Sequence, residues 1–142
     1  MVYPLGGIRV LDLSRVLAGP FAARMLCDLG ADVVKVEPPD GDVTRTWGAV
    51  IGGVPGYYHQ QNVGKRNICI DLREPGAAEL VVALAGQADI AIENFRPGVA
   101  ERLGVGYESL RAANPGLIML SISGFGQRGP EAQRAAYAAI IQ

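Results

Sequence analysis

Three glycines near the end of this 142-residue chain have the spacing of a dinucleotide-binding motif. Residues 123–130 read SGFGQRGP, in which Gly124, Gly126 and Gly129 form G-x-G-x-x-G. That motif binds a pyrophosphate when it joins a strand to a helix and an acidic residue follows about 20 positions later. Here Pro130 and the polar EAQR make a poor start for a helix packed on a sheet, and the printed sequence holds no acidic residue at that distance. We interpret the glycines as a turn after a strand and not as an NAD site.

Two further loops carry residue types that could bind a ligand. The segment SRVLAGP follows the apolar run at 8–14, and ENFRPG follows the apolar run at 88–94. Both offer arginines and backbone N–H groups, which suit anionic ligands. Because ligands of open α/β sheets bind beyond the carboxyl ends of the strands, we expect these two loops and the glycine turn to share one crevice.

The elements that must position these loops follow from the alternation of apolar runs. IRVLDLS and ADVVKVE predict strands at 8–14 and 31–37. The helix between them has Pro20 in its first turn and Gly30 where a C-terminal cap belongs. The rest of the chain repeats the pattern: we predict strands at 67–72, 88–94 and 116–123, and helices at 74–87 (Pro75 early), 98–104 and 107–114. Five mostly parallel strands with flanking helices predict an α/β layered domain.

Residues 38–66 interrupt this rhythm with a Gly- and Pro-rich stretch. A connection of this length is usually functional or mobile. Its charged part contains Asp40, Asp42 and Arg45, for which both a solvated turn and a structural role near the site remain open.

Composition restricts the classes of function. The chain is 49% apolar and 19% charged with a net charge of −1, which indicates a single soluble globular domain. There is no basic field for nucleic acid and no polybasic or membrane-spanning segment, and the N-terminus has no secretory signal pattern, so we expect a cytoplasmic protein without nucleic-acid or membrane partners. Cys27 and Cys69 lie far apart among apolar neighbours and are interpreted as buried thiols. With one histidine, His59, the chain has no ligand set for a metal.

Several motifs together resemble one known family. PLGGIRVLDLSRVLAGPFAARMLCDLGADVVKVEPPDGDVTR, NVGKRNICIDLR, ADIAIENFRPGVAERLGVGYESLRAANPGLIMLSISGFGQRGP and RAAYAAIIQ are similar to the N-terminal part of class III CoA-transferases, the CaiB/BaiF family. The resemblance implies that CoA is exchanged between a thioester and a free carboxylic acid through covalent intermediates on an aspartate. It also implies an interlocked homodimer whose large domain is Rossmann-like, with a mostly parallel sheet and flanking helices, and binds CoA. CoA and acyl-CoA are then substrates, and no tightly bound cofactor is expected.

In this family the loop after the first strand lies beside the thioester. The resemblance places Arg15, Val16, Leu17 and Ala18 there, where a backbone N–H that stabilises negative charge is worth roughly 3 kcal/mol. Formyl-CoA transferases carry glutamine at the position of Leu17, so formyl transfer is not predicted. Tyr137 falls where relatives have an aromatic residue or histidine, but Ala138 replaces the carboxylate that follows in many of them.

Other segments correspond to those that hold the nucleotide end of CoA. For Arg102 a phosphate contact competes with a solvated helix face. Asn94 could instead cap the next helix or shape the turn, and Phe95 could belong to the core. The full set that the resemblance assigns to CoA binding outside the first loop is Leu72, Arg73, Asn94, Phe95, Arg96, Arg102 and Leu103.

Length is the main departure from the family. The resemblance places residues 1–142 in the CoA-binding large domain, with the nucleophilic aspartate, the small domain and the rest of the large domain beyond them. We therefore expect this chain alone to be inactive. Two alternatives remain open: an enzyme like α-methylacyl-CoA racemase, which Tyr137 in place of histidine disfavours, and a non-catalytic CoA-binding or dimerising fragment.

Overall fold

Five parallel strands form the central sheet of the computed structural model, which describes residues 3–137. A separate two-stranded antiparallel hairpin is formed by β3 and β4. The strands are β1 (Arg9–Asp12), β2 (Asp32–Glu37), β3 (Val50–Ile51), β4 (Val54–Pro55), β5 (Arg66–Cys69), β6 (Ile90–Glu93) and β7 (Ile118–Ser121). The order β5-β2-β1-β6-β7 reverses direction between β1 and β6, as in a doubly wound fold, and confirms the predicted α/β class.

Helices cover both faces of the sheet. They are α1 (Ala18–Asp28), α2 (Gly56–Asn62), α3 (Ala77–Ala85), α4 (Val99–Arg102) and α5 (Tyr107–Ala113), with a 3₁₀ turn at Val43–Thr46. Successive residues of a strand point to opposite faces, and β1 feeds both cores accordingly. Val10 packs in the cluster that contains Ala23 of α1, whereas Leu11 packs with Val81 of α3 and Leu110 of α5.

The connection from α1 to β2 follows the sequence prediction. Gly30 lies just after the helix with a φ of 101°, and its N–H donates to the Cys27 carbonyl at 2.9 Å. A Cβ on Gly30 would stand 2.2 Å from the Cβ of Tyr3, so glycine is required there by both conformation and space. Pro20 occupies the third position of α1, where no intrahelical N–H bond is lost.

Residues 38–66 are more regular than predicted. They contain the 3₁₀ turn, the β3–β4 hairpin and α2, because local polar contacts and packing on α1 replace the apolar periodicity that the segment lacks. Asp42 caps the 3₁₀ turn and is 2% exposed. A structural role is therefore confirmed for Asp42, and the solvated-turn alternative is wrong for this residue.

Two smaller expectations need correction, the start of α3 and the burial of the cysteines. The helix expected at 74–87 begins only at Ala77, so Pro75 precedes it. Cys69 is exposed, not buried, because β5 is an edge strand, and Cys27 is half-buried. The glycine turn is followed by turns and bends up to residue 137, with no helix in this described stretch. No helix of the described residues has the length and apolarity needed to cross a membrane.

Candidate functional site

A cleft of about 340 Å³ opens at the carboxyl ends of the strands around the point where the sheet order reverses. Loops after β1, β2, β5 and β6 all contribute to its lining. One wall is apolar and consists of Val36, Ile70, Leu72, Phe95 and Leu103. This combination of an apolar wall with polar loop ends is typical of a small-molecule site.

The structure brings only part of the predicted site into this cleft. The residues that line it are Arg15, Leu72, Arg73, Phe95 and Leu103. The remaining residues of the predicted set do not line it: Val16, Leu17, Ala18, Asn94, Arg96, Arg102 and Tyr137. Val16, Leu17 and Ala18 directly follow Arg15 in the chain, whereas Tyr137 is 73% exposed. The glycine turn does not contribute to the lining either.

The two arginines of the cleft differ in their partners. The Arg73 guanidinium donates to both oxygens of Asp71, at 2.8 and 2.7 Å, and the Arg73 N–H adds a third bond at 3.0 Å. The Arg73 side chain and N–H lower the pKa of Asp71 to about 2. Arg15 has no ion pair within residues 3–137. Arg15 is therefore the cation of this cleft that is free to meet an anionic ligand.

Asn94 joins the loops after β1 and β6. Its Oδ1 accepts from the Arg15 N–H at 2.8 Å, and its Nδ2 donates to the Arg15 carbonyl at 2.7 Å. It does not cap α4, whose N-cap is Gly98 without a side-chain bond. The interpretation of Asn94 as a helix cap is thus wrong, and the residue instead fixes one loop against the other. Phe95 packs against a core cluster, as the interpretation of this residue as part of the core predicts, and it also lines the cleft.

The backbone of Val16 is held in a rare conformation. Its φ of 70° lies in the left-handed region, which costs a β-branched residue about 1–3 kcal/mol. Its N–H donates to Asp42 Oδ2 at 3.0 Å. Because the Arg15 and Val16 amides already have acceptors, Leu17 and Ala18 are the loop residues whose N–H groups remain for a ligand.

A buried pair of opposite charges, Lys35 and Asp42, holds the backbone of the loop after β1. Lys35, on β2, donates to the Ser14 carbonyl at 2.6 Å and lies 3.4 Å from Asp42 Oδ2, and both side chains are 1% exposed. Burial alone would raise the pKa of Asp42. The N–H of Thr44, the Lys35 ammonium and the N–H of Val16 together outweigh burial and hold this pKa below its usual value.

A second buried ion pair joins the end of β1 and the first turn of α1 to α2. Lys65 Nζ lies 2.8 Å from Asp12 Oδ2 and donates at 2.9 Å to both the Pro20 carbonyl and Asn62 Oδ1. Asp12 also accepts hydrogen bonds from the Ser14 N–H and hydroxyl. Sequence reasoning missed both ion pairs. A lysine inside an apolar strand was the visible signal for Lys35, but nothing local marked Lys65.

Glu37 provides a further test of the NAD interpretation. At the end of β2, dinucleotide-binding proteins carry an acidic residue that binds ribose hydroxyls. Both oxygens of Glu37 are instead occupied by hydrogen bonds from this chain, with Arg45 at 2.7 and 3.2 Å, the Tyr58 hydroxyl at 2.5 Å, Asn67 at 2.6 Å and the Asp42 N–H at 2.9 Å. No acceptor is left for a ribose.

Comparison with known proteins supplies the family. A model of CoA-transferase family III matches residues 5–142. The chain is 51% identical to the succinate–glutarate CoA-transferase of Agrobacterium fabrum (strain C58) and 46% identical to the acetyl-CoA:oxalate CoA-transferase of Acetobacter aceti. Each alignment covers 98% of this chain but only 37% and 36% of those relatives.

The solved structures agree with this result. The crystal structure of a CAIB/BAIF family protein from Brucella suis superimposes with a TM-score of 0.92 at 51% identity, covering 98% of this chain and 38% of that one. The chain thus spans little more than a third of the length of the relatives it matches. Sequence, family model and fold lead to one assignment: the chain belongs to CoA-transferase family III.

Proposed function

We propose that residues 1–142 form the CoA-binding part of an enzyme that transfers CoA from an acyl-CoA thioester to a carboxylic acid. The single observation that carries this proposal is the cleft beyond β1, β2, β5 and β6, in a chain of this family, which combines an apolar wall with an unpaired arginine. CoA needs both features, because the aromatic faces of its adenine pack on apolar side chains and its phosphates are anionic.

The nucleotide end of CoA would lie in the cleft itself. Leu72, Phe95 and Leu103 offer the apolar surface for the adenine. Arg15 would meet a phosphate directly, since a guanidinium can bind two phosphate oxygens at once. Arg73 could do so only by sharing or leaving Asp71. Two exposed arginines near these loops in sequence, Arg96 and Arg102, complete the proposed phosphate contacts, although neither lines the cleft.

The thioester end would face the loop after β1. The N–H groups of Leu17 and Ala18, at the start of α1, would stabilise the negative charge that develops on the thioester oxygen. Gly19 is part of the same arrangement. A Cβ on Gly19 would stand 2.1 Å from the Cβ of Ser14, so a side chain there would push the first helical turn away from the loop. We further propose that Tyr137 lies near the thioester in the complete protein.

The names of the relatives suggest the substrate class. Those proteins are described as acting on succinate, glutarate, oxalate and D-citramalate. We infer that this protein also uses a dicarboxylic acid as acceptor. The remaining parts of the proposal are an aspartate nucleophile outside these residues, inactivity of the 142-residue chain alone, an interlocked homodimer, a cytoplasmic location and the absence of a tightly bound cofactor.

Calorimetric titration of the folded 142-residue chain with CoA tests the binding proposal. We expect saturable binding that Arg15→Ala weakens by at least tenfold. Arg66→Ala is the matched control, because Arg66 is the first residue of β5 and lies at the amino end of this strand, away from the cleft at the carboxyl ends, where it pairs with Asp32. Absence of heat at millimolar CoA, or equal weakening by both variants, would contradict the proposed site.

The reaction is tested with the complete protein that contains these residues. Succinyl-CoA and glutarate are mixed in deuterated buffer, and the thioesters are identified by mass spectrometry. Transfer predicts glutaryl-CoA without deuterium at the α-carbon. With a 2-methylacyl-CoA as the substrate, deuterium uptake at the α-carbon without a change of acyl group would indicate the racemase alternative instead.

A further inference from the structure

Asp42 connects the loop after β1 to the segment after β2, 26 residues away in the chain. Its Oδ2 accepts from the Val16 N–H at 3.0 Å and lies 3.4 Å from Lys35 Nζ. Its Oδ1 accepts from the Thr44 N–H at 3.0 Å and from the Thr44 hydroxyl at 2.9 Å. With its side chain 1% exposed and all these positions occupied, Asp42 cannot itself bind a substrate.

The left-handed conformation of Val16 requires a stabilising contact, such as the hydrogen bond that its N–H donates to Asp42. A β-branched residue at a φ of 70° is strongly disfavoured and persists only where the surroundings impose it. Packing does little here, because Val16 is only half-buried and both of its neighbours, Arg15 and Leu17, are exposed. The fixed points are hydrogen bonds: Asn94 on the Arg15 backbone, Lys35 on the Ser14 carbonyl and Asp42 on the Val16 N–H.

We propose that Asp42 is a positioning residue for CoA transfer, which holds the Val16 peptide in its left-handed conformation and thereby directs the Leu17 and Ala18 N–H groups toward the thioester oxygen. This inference rests on the proposed function. The ammonium of Lys35 takes part by bridging Asp42 and the Ser14 carbonyl, so that the loop is fixed at both ends of its strained residue.

The test is a double-mutant cycle in the complete protein. Asp42→Ala should lower kcat by about 10- to 100-fold, because small displacements of groups that act on the transition state have effects of this size. The KM for acyl-CoA should change by less than about threefold, since the residues proposed to bind the nucleotide are all unchanged. When residue 16 is first changed by Val16→Gly, the same Asp42→Ala substitution should cost less than about threefold in kcat, because glycine adopts a positive φ without strain.

Thr44→Val is the matched control. It removes one hydrogen bond to Asp42 but leaves the bond between Asp42 and the Val16 N–H, so kcat should stay within about twofold. A merely structural role of Asp42, as the cap of the 3₁₀ turn, predicts that Asp42→Ala costs the same whether or not Val16→Gly is present. That result would overturn the inference.

Hydrogen exchange of the Val16 amide provides an independent measurement. Asp42→Ala should accelerate this exchange by at least tenfold, whereas Thr44→Val should leave it unchanged. If Asp42→Ala does not fold, Asp42→Asn replaces it. The asparagine side chain has one oxygen, which cannot replace both carboxylate oxygens that accept from Val16 and Thr44. The kcat should then fall by a smaller factor, with the same dependence on residue 16. Wild-type protein that transfers no CoA refutes the proposed function and this inference together. Wild-type transfer with losses that do not depend on residue 16 refutes only the inference.

Discussion

Breaking the buried ion pair between Lys65 and Asp12 should strongly destabilise this fold. We consider Lys65→Met, which keeps most of the length of the side chain and removes its charge. The ammonium is 2.8 Å from Asp12 Oδ2, and the two side chains are 1% and 0% exposed. The substitution therefore leaves a carboxylate in the interior whose remaining partners are the N–H and hydroxyl of Ser14.

The expected loss is large for a single substitution. Removing one member of a buried ion pair costs about 3–5 kcal/mol, because the remaining charge is neither hydrated nor paired. The Pro20 carbonyl and Asn62 Oδ1 also lose a donor, at 2.9 Å each. Since a domain of this size has a total stability of about 5–15 kcal/mol, Lys65→Met should remove a substantial part of it.

The assay is urea unfolding of the 142-residue chain, followed by circular dichroism and by the fluorescence of Trp47, the only tryptophan. Arg66→Met is the matched control, since it also replaces a cation by methionine at the adjacent position. Its partner Asp32 and Arg66 itself are 49% and 67% exposed, so this ion pair should contribute at most about 1 kcal/mol.

A third variant separates the charge effect from general damage. In Lys65→Met combined with Asp12→Asn, no charge is left behind, and the double variant should be more stable than Lys65→Met alone. Equal losses for Lys65→Met and Arg66→Met would refute the reasoning from burial. If the loss of the double variant equals the sum of the losses of Lys65→Met and Asp12→Asn, the coupling between the two residues is refuted.

Three other measurements test the charged ends of the strands and the core. Burial alone would raise the pKa of Glu37, but hydrogen bonds from Arg45 and its neighbours outweigh burial and lower this pKa below 4.5. The stability that Glu37 contributes is therefore present above that pH and is lost as the pH falls through the folded pKa. Glu37→Gln should destabilise the chain at neutral pH but not in strong acid, and equal losses at both would contradict this. Burial raises the pKa of Glu93 above 4.5, so the wild type should lose stability as the pH rises from 4.5 through the folded pKa. Glu93→Gln should flatten the plot of the urea midpoint against pH in this range. Parallel plots for the wild type and the variant would contradict a raised pKa of Glu93. Leu110→Ala should cost about 2–5 kcal/mol because Leu110 is fully buried, whereas Leu80→Ala, at a position 47% exposed, should cost clearly less in the same unfolding assay.

The framework of the fold could be predicted from local patterns. Short branched runs indicated the five strands of the main sheet, with ends that differ from the observed ones by at most three residues. Gly30 marked the end of α1 because the chain leaves this helix through a positive φ, here 101°, which glycine adopts without strain. Such signals are visible in the sequence since each depends on neighbours a few residues away.

The site was less predictable because its important contacts join distant segments. The bond between Val16 and Asp42 spans 26 residues, and the one between Asp12 and Lys65 spans 53. A lysine or aspartate near a strand end has the same local pattern whether it is solvated or buried. For α2, the sequence GYYHQQN has no apolar stripe, so only its packing on α1 shows that it is a helix. The family resemblance supplied the loops that matter, but not the groups that hold them.

The placement of these buried charges has a physical reason. At the carboxyl end of β1 the chain leaves the sheet, and its N–H and carbonyl groups lose their partners in the ladder. Apolar side chains could cover this loop but could not satisfy those groups. Asn94, Lys35 and Asp42 satisfy these groups from three neighbouring segments, and each hydrogen bond also fixes the orientation of the peptide group that it binds. A loop supported in this way can keep Val16 in a strained conformation and leave the following N–H groups unpaired, which is what a site for a developing negative charge requires.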